Sequence, residues 1–200
     1  SRPITPLQGI REKVSKNTRV LYAQGCEWAE NLPSFEVVPA SALFTTDGGN
    51  RINGLKGEYF DNRELKGNPV LTRIDRQIDF NWWAGTPDKR ITDDDSFGVR
   101  WTGELAPPVS GAYALGGYGM TGFRIYLDDK LLTRFEGVHH PNKTYERVAL
   151  EAGRSYRIKV EYFERAGDAH LQLLWSVPGR DLEKQALEAA GQADVVVMIM

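Results

Sequence analysis

The run Gly98 to Leu132 constrains the fold more than any other stretch, because three segments of alternating apolar and polar residues follow one another through two turn signals. Val99, Trp101, Gly103 and Leu105 alternate with Arg100, Thr102 and Glu104, a period of two that places apolar side chains on one face of a strand. Pro107 and Pro108 end that strand, since neither supplies the backbone donor a ladder needs, and Ser110-Gly111 turns the chain into Tyr113 and Leu115. Phe123, Ile125 and Leu127 repeat the pattern against Arg124 and Tyr126. Asp128-Asp129 then predicts a tight hairpin into Lys130-Leu131, because aspartate tolerates positive φ better than most residues.

Strand signals recur at short intervals through the middle of the chain: Gly57 to Phe60, Ile78 to Trp83, Phe97 to Leu105, Gly111 to Gly116, Phe123 to Leu127, Leu131 to Phe135, Tyr145 to Leu150, Arg154 to Glu164 and Leu171 to Trp175. Such spacing predicts an antiparallel β-sandwich or barrel over residues 53–178. The ends read differently. Thr5-Pro6 is a helix start with Leu7, Ile10 and Val14 on one stripe, and Arg19 to Ala23 is a short apolar strand. Asn31 to Gly54 is rich in turn formers and reads as a connector. Asp181 is placed to cap a helix carrying Leu182, Ala186, Ala189, Ala190 and Ala193, and Val195 to Ile199 is the continuous apolar run of a strand buried on both faces. The chain is therefore expected to be mainly β, a sandwich inserted in a partial strand-helix-strand α/β layer formed by residues 1–50 and 179–200. An insertion leaving after Ala23 emerges at the carboxyl end of a strand, where open α/β sheets bind ligands, so it should overhang a site.

With 25 basic and 27 acidic residues, no general positive field favours nucleic acid or an anionic membrane. The lone Cys26 excludes an internal disulfide framework and leaves the compartment open, periplasmic or secreted included. Both ends read as cut from a longer polypeptide.

The segments GLKGEYFDN (Gly54 to Asn62), VRWTGELAPPVSGAYAL (Val99 to Leu115), FRIYLDDKLL (Phe123 to Leu132), LEAGRSYRIKVEYFE (Leu150 to Glu164) and LQLLWSVPG (Leu171 to Gly179) resemble the protective-antigen (PA-14) type β-sandwich domain. The flanks TPLQGIREKV, RVLYAQGC and ALEAAGQADVVVMIM resemble the second, α/β domain of glycoside hydrolase family 3, in which such a sandwich is inserted in many β-glucosidases. The resemblance implies a parent that is a retaining glycosidase, whose chemistry needs a carboxylate nucleophile and a second carboxyl as acid and base. In that family the first precedes the region matching Ser1 and the second follows that matching Met200. No catalytic residue is thus expected here, and the chain alone is expected to be inactive. The implied partner is a β-linked glucoside or oligosaccharide, together with the parent's catalytic domains and, as an open alternative, a second copy in a homodimer. No cofactor or metal is implied. The alternatives are an independent carbohydrate-binding module and a purely structural insert.

Four residues are the candidate substrate contacts. Gly116 to Gly122 reads as a glycine-rich loop offering Tyr118 and Met120 as apolar faces for a sugar ring, with a flexible turn as the plainer reading. His139-His140 beside Pro141 could reach sugar hydroxyls, although adjacent residues of an extended chain point apart and a solvated loop explains them as well. Asp93-Asp94-Asp95 resembles the start of a calcium loop, but no EF-hand spacing follows. His170 reads as a packing residue. In Trp82-Trp83, alternation turns one ring inward and one outward.

Overall fold

The structure, a computed structural model, describes residues 4–26, 33–137, 140–179 and 182–199. The chain divides into two compact units, Ser1–Leu32 with Gly179–Met200, and Pro33–Pro178.

The larger unit is two packed antiparallel sheets. Its strands are β1 (Glu36–Val37), β2 (Leu43–Asp47), β3 (Asn50–Asn53), β4 (Leu55–Phe60), β5 (Leu71–Asp75), β6 (Asp79–Trp83), β7 (Gly98–Leu105), β8 (Gly111–Gly119), β9 (Gly122–Leu127), β10 (Lys130–Glu136), β11 (Asn142–Leu150), β12 (Tyr156–Phe163) and β13 (Ala169–Ser176). One sheet runs β1-β13-β8-β11, with β6 sharing the free edge of β13. The other runs β10-β9-β12-β7-β2-β3, with β4, itself paired to β5, sharing with β2 the edge of β7 opposite β12. All nine segments predicted from alternation are strands. The connector predicted over Asn31 to Gly54 is instead β1, a 3₁₀ turn at Ala40–Ala42, β2 and β3. These strands escape a reading by pattern because most of their side chains are not buried: β2 and β3 bury one side chain, Leu43, between them, so no alternation was required of them.

Between the sheets the alternating residues meet. Trp101, Tyr59, Tyr113, Phe123, Val99 and Tyr162 are fully buried and Trp175 nearly so. One carboxylate lies among them. Asp75 accepts hydrogen bonds from the Tyr59 hydroxyl (2.5 Å), the Trp101 indole (2.8 Å) and Arg73 Nε (2.7 Å), so the buried charge is fully partnered, as a low-dielectric site demands. The hairpin at Asp128-Asp129 has φ of 47° and 66°, the primed turn expected between paired Leu127 and Lys130.

The glycine-rich stretch is not a loop. Gly116, Gly117 and Gly119 lie inside β8, hydrogen-bonded to β11 on one side and β13 on the other. Here glycine serves close approach. A Cβ at Gly117 would meet the Phe123 ring at 2.8 Å, and one at Gly116 would lie 2.0 Å from the Thr144 carbonyl oxygen. Only Met120 and Thr121 separate β8 from β9.

In the smaller unit, α1 (Pro6–Lys13) begins as expected, with Thr5 Oγ1 accepting from the Gln8 amide at 3.2 Å. The second helix, α2, spans Leu182–Ala190; the Asp181 cap lies outside the described residues. Arg19 to Ala23 and Val195 to Ile199, whose pattern is that of strands needing the rest of their sheet, are not strands and do not pair with each other. Tyr22, Val195 and Met198 are well exposed, and a strand apolar on both faces forms only with neighbours on both sides. Among the described residues neither segment has one. Arg19 Nη2 donates to Gln192 Oε1 at 3.4 Å, and an added Gly25 Cβ would stand 3.8 Å from Ala186 Cβ, so the two flanks do meet.

Gly116→Ala should lower stability by about 2–3 kcal/mol, since overpacking against backbone cannot be relieved by a rotamer change. A shift in the urea midpoint at constant slope would show it; an unchanged midpoint would mean that the segment behaves as the loop its composition suggested.

Candidate functional site

Strand register sorts the side chains of the first sheet. On β8 the odd-numbered residues Tyr113 and Leu115 enter the core, so Tyr118 faces outward. On β13 Leu171, Leu173 and Trp175 enter the core, so His170 and Gln172 face outward beside it. On β6 Phe80 and Trp82 turn in, Trp82 stacking on Phe80 at 4.9 Å and meeting Phe97 edge-on at 5.6 Å. Asp79, Asn81 and Trp83 turn out. The pairs Tyr118↔Gln172, His170↔Asn81 and Gln172↔Asp79 make one continuous outer strip across three strands.

Trp83 is the most exposed aromatic ring on this strip, at 64 %, and its backbone is held at φ 54°. A non-glycine residue there costs on the order of 1 kcal/mol. A break in register between Ala169 and His170 marks a β-bulge, the device that re-aims side chains at sheet ends, and the Trp83 amide donates to Asn81 Oδ1 at 3.1 Å. Tyr118 meets the His170 ring edge-on at 5.2 Å. His170 Nε2 is shielded from solvent and has no hydrogen-bond partner; burial pushes the imidazole below its ordinary pKa, so the ring is uncharged at neutral pH, with one donor and one acceptor nitrogen. Gln172 Nε2 donates to Asp79 Oδ1 at 2.8 Å, which fixes which way its carbonyl points. The strip thus offers an aromatic plate, a phenol, amides and a carboxylate, chemistry suited to an uncharged polyhydroxylated ring.

Of the candidate contacts, Tyr118 lies on this strip and Met120 just beyond it, its amide donating to the His170 carbonyl at 3.2 Å. His140 is exposed, two residues before β11, whose first pair is Asn142 with Gly119; it belongs to the same end of the sheet. His139 lies outside the described residues. The outward ring of Trp83 follows the predicted alternation. The bulge and the orphaned His170 nitrogen carry no sequence signal, because they depend on β6 lying against β13.

The strip is at the end of the sandwich opposite the chain crossings. Pro178 packs on Gly111 at the start of β8, and Glu36 pairs with Trp175, so both connections leave near Gly111. From there β8 runs to Gly119, roughly 26 Å at ~3.3 Å per residue. The loops of the far end are stitched together. Asp61 accepts from the Thr92 amide at 2.8 Å and Asp95 from the Gly167 amide at 2.9 Å, while Asp93 closes its own turn onto the Asp95 amide. Among the described residues no group of His, Cys, Asp or Glu is arranged to hold a metal ion.

Glu164 locks the Met120-Thr121 turn in place. Its carboxylate takes hydrogen bonds from the Tyr162 hydroxyl and from the Arg165 and Ala166 amides, and lies 3.3 Å from Thr121 Oγ1. Burial holds its pKa above the usual carboxylate value, although those hydrogen bonds act the other way. The folded state therefore binds this proton more tightly than the unfolded chain. Its contribution to stability falls as pH rises from about 4.5 through the shifted pKa. Glu164→Gln should accordingly gain on the wild type as pH is raised across that window in urea titrations; a pH-independent difference would mean that folding does not raise the carboxyl's pKa.

A two-sheet antiparallel sandwich with an aromatic and polar strip on one outer face is a binding module in form. The chain belongs to the PA14 domain family, whose model matches residues 52–189. The anti-sigma-I factor RsgI3 of Acetivibrio thermocellus is 36% identical over 131 residues, 66% of this chain and 20% of that protein; the chain thus spans about a fifth of this relative's length. The structure of a β-glucosidase from Kluyveromyces marxianus in complex with glucose is similar with a TM-score of 0.59 at 18% identity, over 94% of this chain and 23% of that one. A PA14 sugar-binding domain from an RTX adhesin matches 64% of the chain and 92% of its own, with a TM-score of 0.52 at 18% identity.

Proposed function

We propose that this chain is the carbohydrate-contacting segment of a β-glucosidase-like glycoside hydrolase of family 3, its sandwich inserted in an α/β domain and shaping the entrance of the active site. The observation that carries the reading is the extent of the likeness to the Kluyveromyces enzyme. At 94% of the chain it reaches past the sandwich, which ends at Pro33 and Pro178, into the flanking unit. The far-end position of Trp83, Tyr118 and His170 fits the role, since a contact surface at the end away from the connections can reach over a pocket of the parent. The site's contribution is binding. The carboxylates that perform hydrolysis belong to the parent.

The relative that favours a second reading is RsgI3, 36% identical and named as an anti-sigma factor, not a hydrolase. Under that reading the sandwich is a self-contained carbohydrate-binding module that needs no neighbouring active site.

Calorimetric titration of the 200-residue chain with cellobiose and longer β-gluco-oligosaccharides, with and without calcium, tests the shared premise. Binding independent of calcium is expected, without hydrolysis of an aryl β-glucoside. Trp83→Gly should weaken it at least tenfold, the scale of losing one stacked ring with its hydrogen-bonding surround, while leaving the fold as stable or more so, because glycine relieves the positive φ. Retained affinity in that variant would remove the strip from the binding site.

A further inference from the structure

The outer face of the second sheet carries a different kind of site. An open surface depression of about 590 Å³ is lined by Arg63, Glu64, Lys66, Arg124, Phe163 and Arg165, four cations against one carboxylate in a chain whose net charge is -2. They come from three separate segments: the loop after β4, the middle of β9 and the turn after β12.

The platform beneath them is built. Leu65 is held at φ 53° yet is only 7% exposed, packed with Phe60 and Phe163 in an apolar cluster of its own. A Cβ on Gly98 would lie 2.5 Å from Leu65 Cδ2, so the strand is bare where the leucine plugs in. Asn62 clamps the loop from both sides, Oδ1 accepting from the Lys66 amide and Nδ2 donating to the Lys66 carbonyl, each at 3.0 Å. Arg100 Nη2 reaches the Leu65 carbonyl at 3.5 Å. A strained residue with a buried side chain and doubly clamped neighbours presents Arg63 and Lys66 with little freedom left in the backbone.

The cations are incompletely neutralised. Arg63 meets Glu64 only through Nε at 3.4 Å. Arg124 lies over the Phe163 ring at 4.8 Å and pairs with Glu136 at 3.0 Å. Among the described residues, Lys66 Nζ and the Arg165 guanidinium make no hydrogen bond or ion pair. A depression of this size has room for a sugar ring, and arginine forks match planar carboxylates in two-point contact.

We infer that this basin binds the carboxylate of an acidic saccharide, a hexuronate unit of an oligosaccharide, on the opposite sheet from the Trp83 strip. The inference rests on the reading of the sandwich as carbohydrate-contacting and adds a charged substrate class to it.

The test is titration of the 200-residue chain with trigalacturonate, cellotriose and sodium sulfate, at low and high NaCl. Trigalacturonate should bind, with affinity falling steeply with salt and at least tenfold in the Lys66→Ala, Arg165→Ala double variant, whose side chains make no hydrogen bond or ion pair among the described residues; cellotriose binding should be unchanged in it. Sulfate binding as tightly as trigalacturonate, or a single-stranded DNA oligomer doing so, would overturn the assignment to sugar acids. Trigalacturonate binding that is lost in Trp83→Gly but intact in the double variant would overturn the basin and leave the neutral-sugar reading standing. Basin-dependent trigalacturonate binding without any cellotriose binding would support the basin and count against the neutral-sugar strip.

Discussion

The close approach of the two sheets over β8 is the constraint on which the rest of the sandwich depends. Gly117 and Gly119 leave room for the Phe123 ring, and Gly116 lets β11 come in against the same strand. With side chains at those positions the sheets would stand farther apart at this end, and the core of Val99, Phe123, Tyr162 and Phe97 would lose its fit, since interiors pack without voids. The consequence for function is local. Tyr118, the one large side chain between these glycines, is left on the outer face with His170 beside it.

Two of the buried carboxyl groups, Asp75 and Glu164, serve the architecture in different ways. Asp75 ties a tyrosine, a tryptophan and an arginine from three strands into one fully partnered network. Glu164 holds the end of β12 to the β8–β9 turn. Both sit where an unpartnered charge would be costly, and both fix geometry near a surface feature: Asp75 beneath the β4–β5 edge, Glu164 beside the Met120-Thr121 turn. This end of the sandwich then displays two chemically distinct faces, an aromatic and polar strip on one sheet and a cationic basin on the other.

Alternation made the interior strands legible. A strand such as Val99 to Leu105 or Tyr156 to Tyr162 is buried on one side along its length, and the period of two follows directly. Edge strands such as Asn50–Asn53 face solvent, and no pattern is imposed on them. Glycine was the ambiguous residue: the same Gly116-Gly117-Tyr118-Gly119 suits a loop by flexibility and a strand by close packing, and only the partners Thr144 and Phe123, distant in sequence, decide. The same distance hid the site. Alternation showed that one ring of Trp82-Trp83 faces outward without saying which, and the bulge of Trp83 against Ala169, and the meeting of Arg63, Lys66, Arg124 and Arg165, exist only once the sheets are paired.

On the proposed function, a neutral saccharide is met on the outer strip at the end of the sandwich away from the chain connections. Amide and indole chemical shifts of the ¹⁵N-labelled chain, followed through addition of cellotriose, address it directly. Movement of the Trp83 indole and of the Tyr118, His170 and Gln172 amides is expected, with the Asp128-Asp129 hairpin at the other end unmoved. Shifts confined to that hairpin end, or none at saturating sugar, would contradict it.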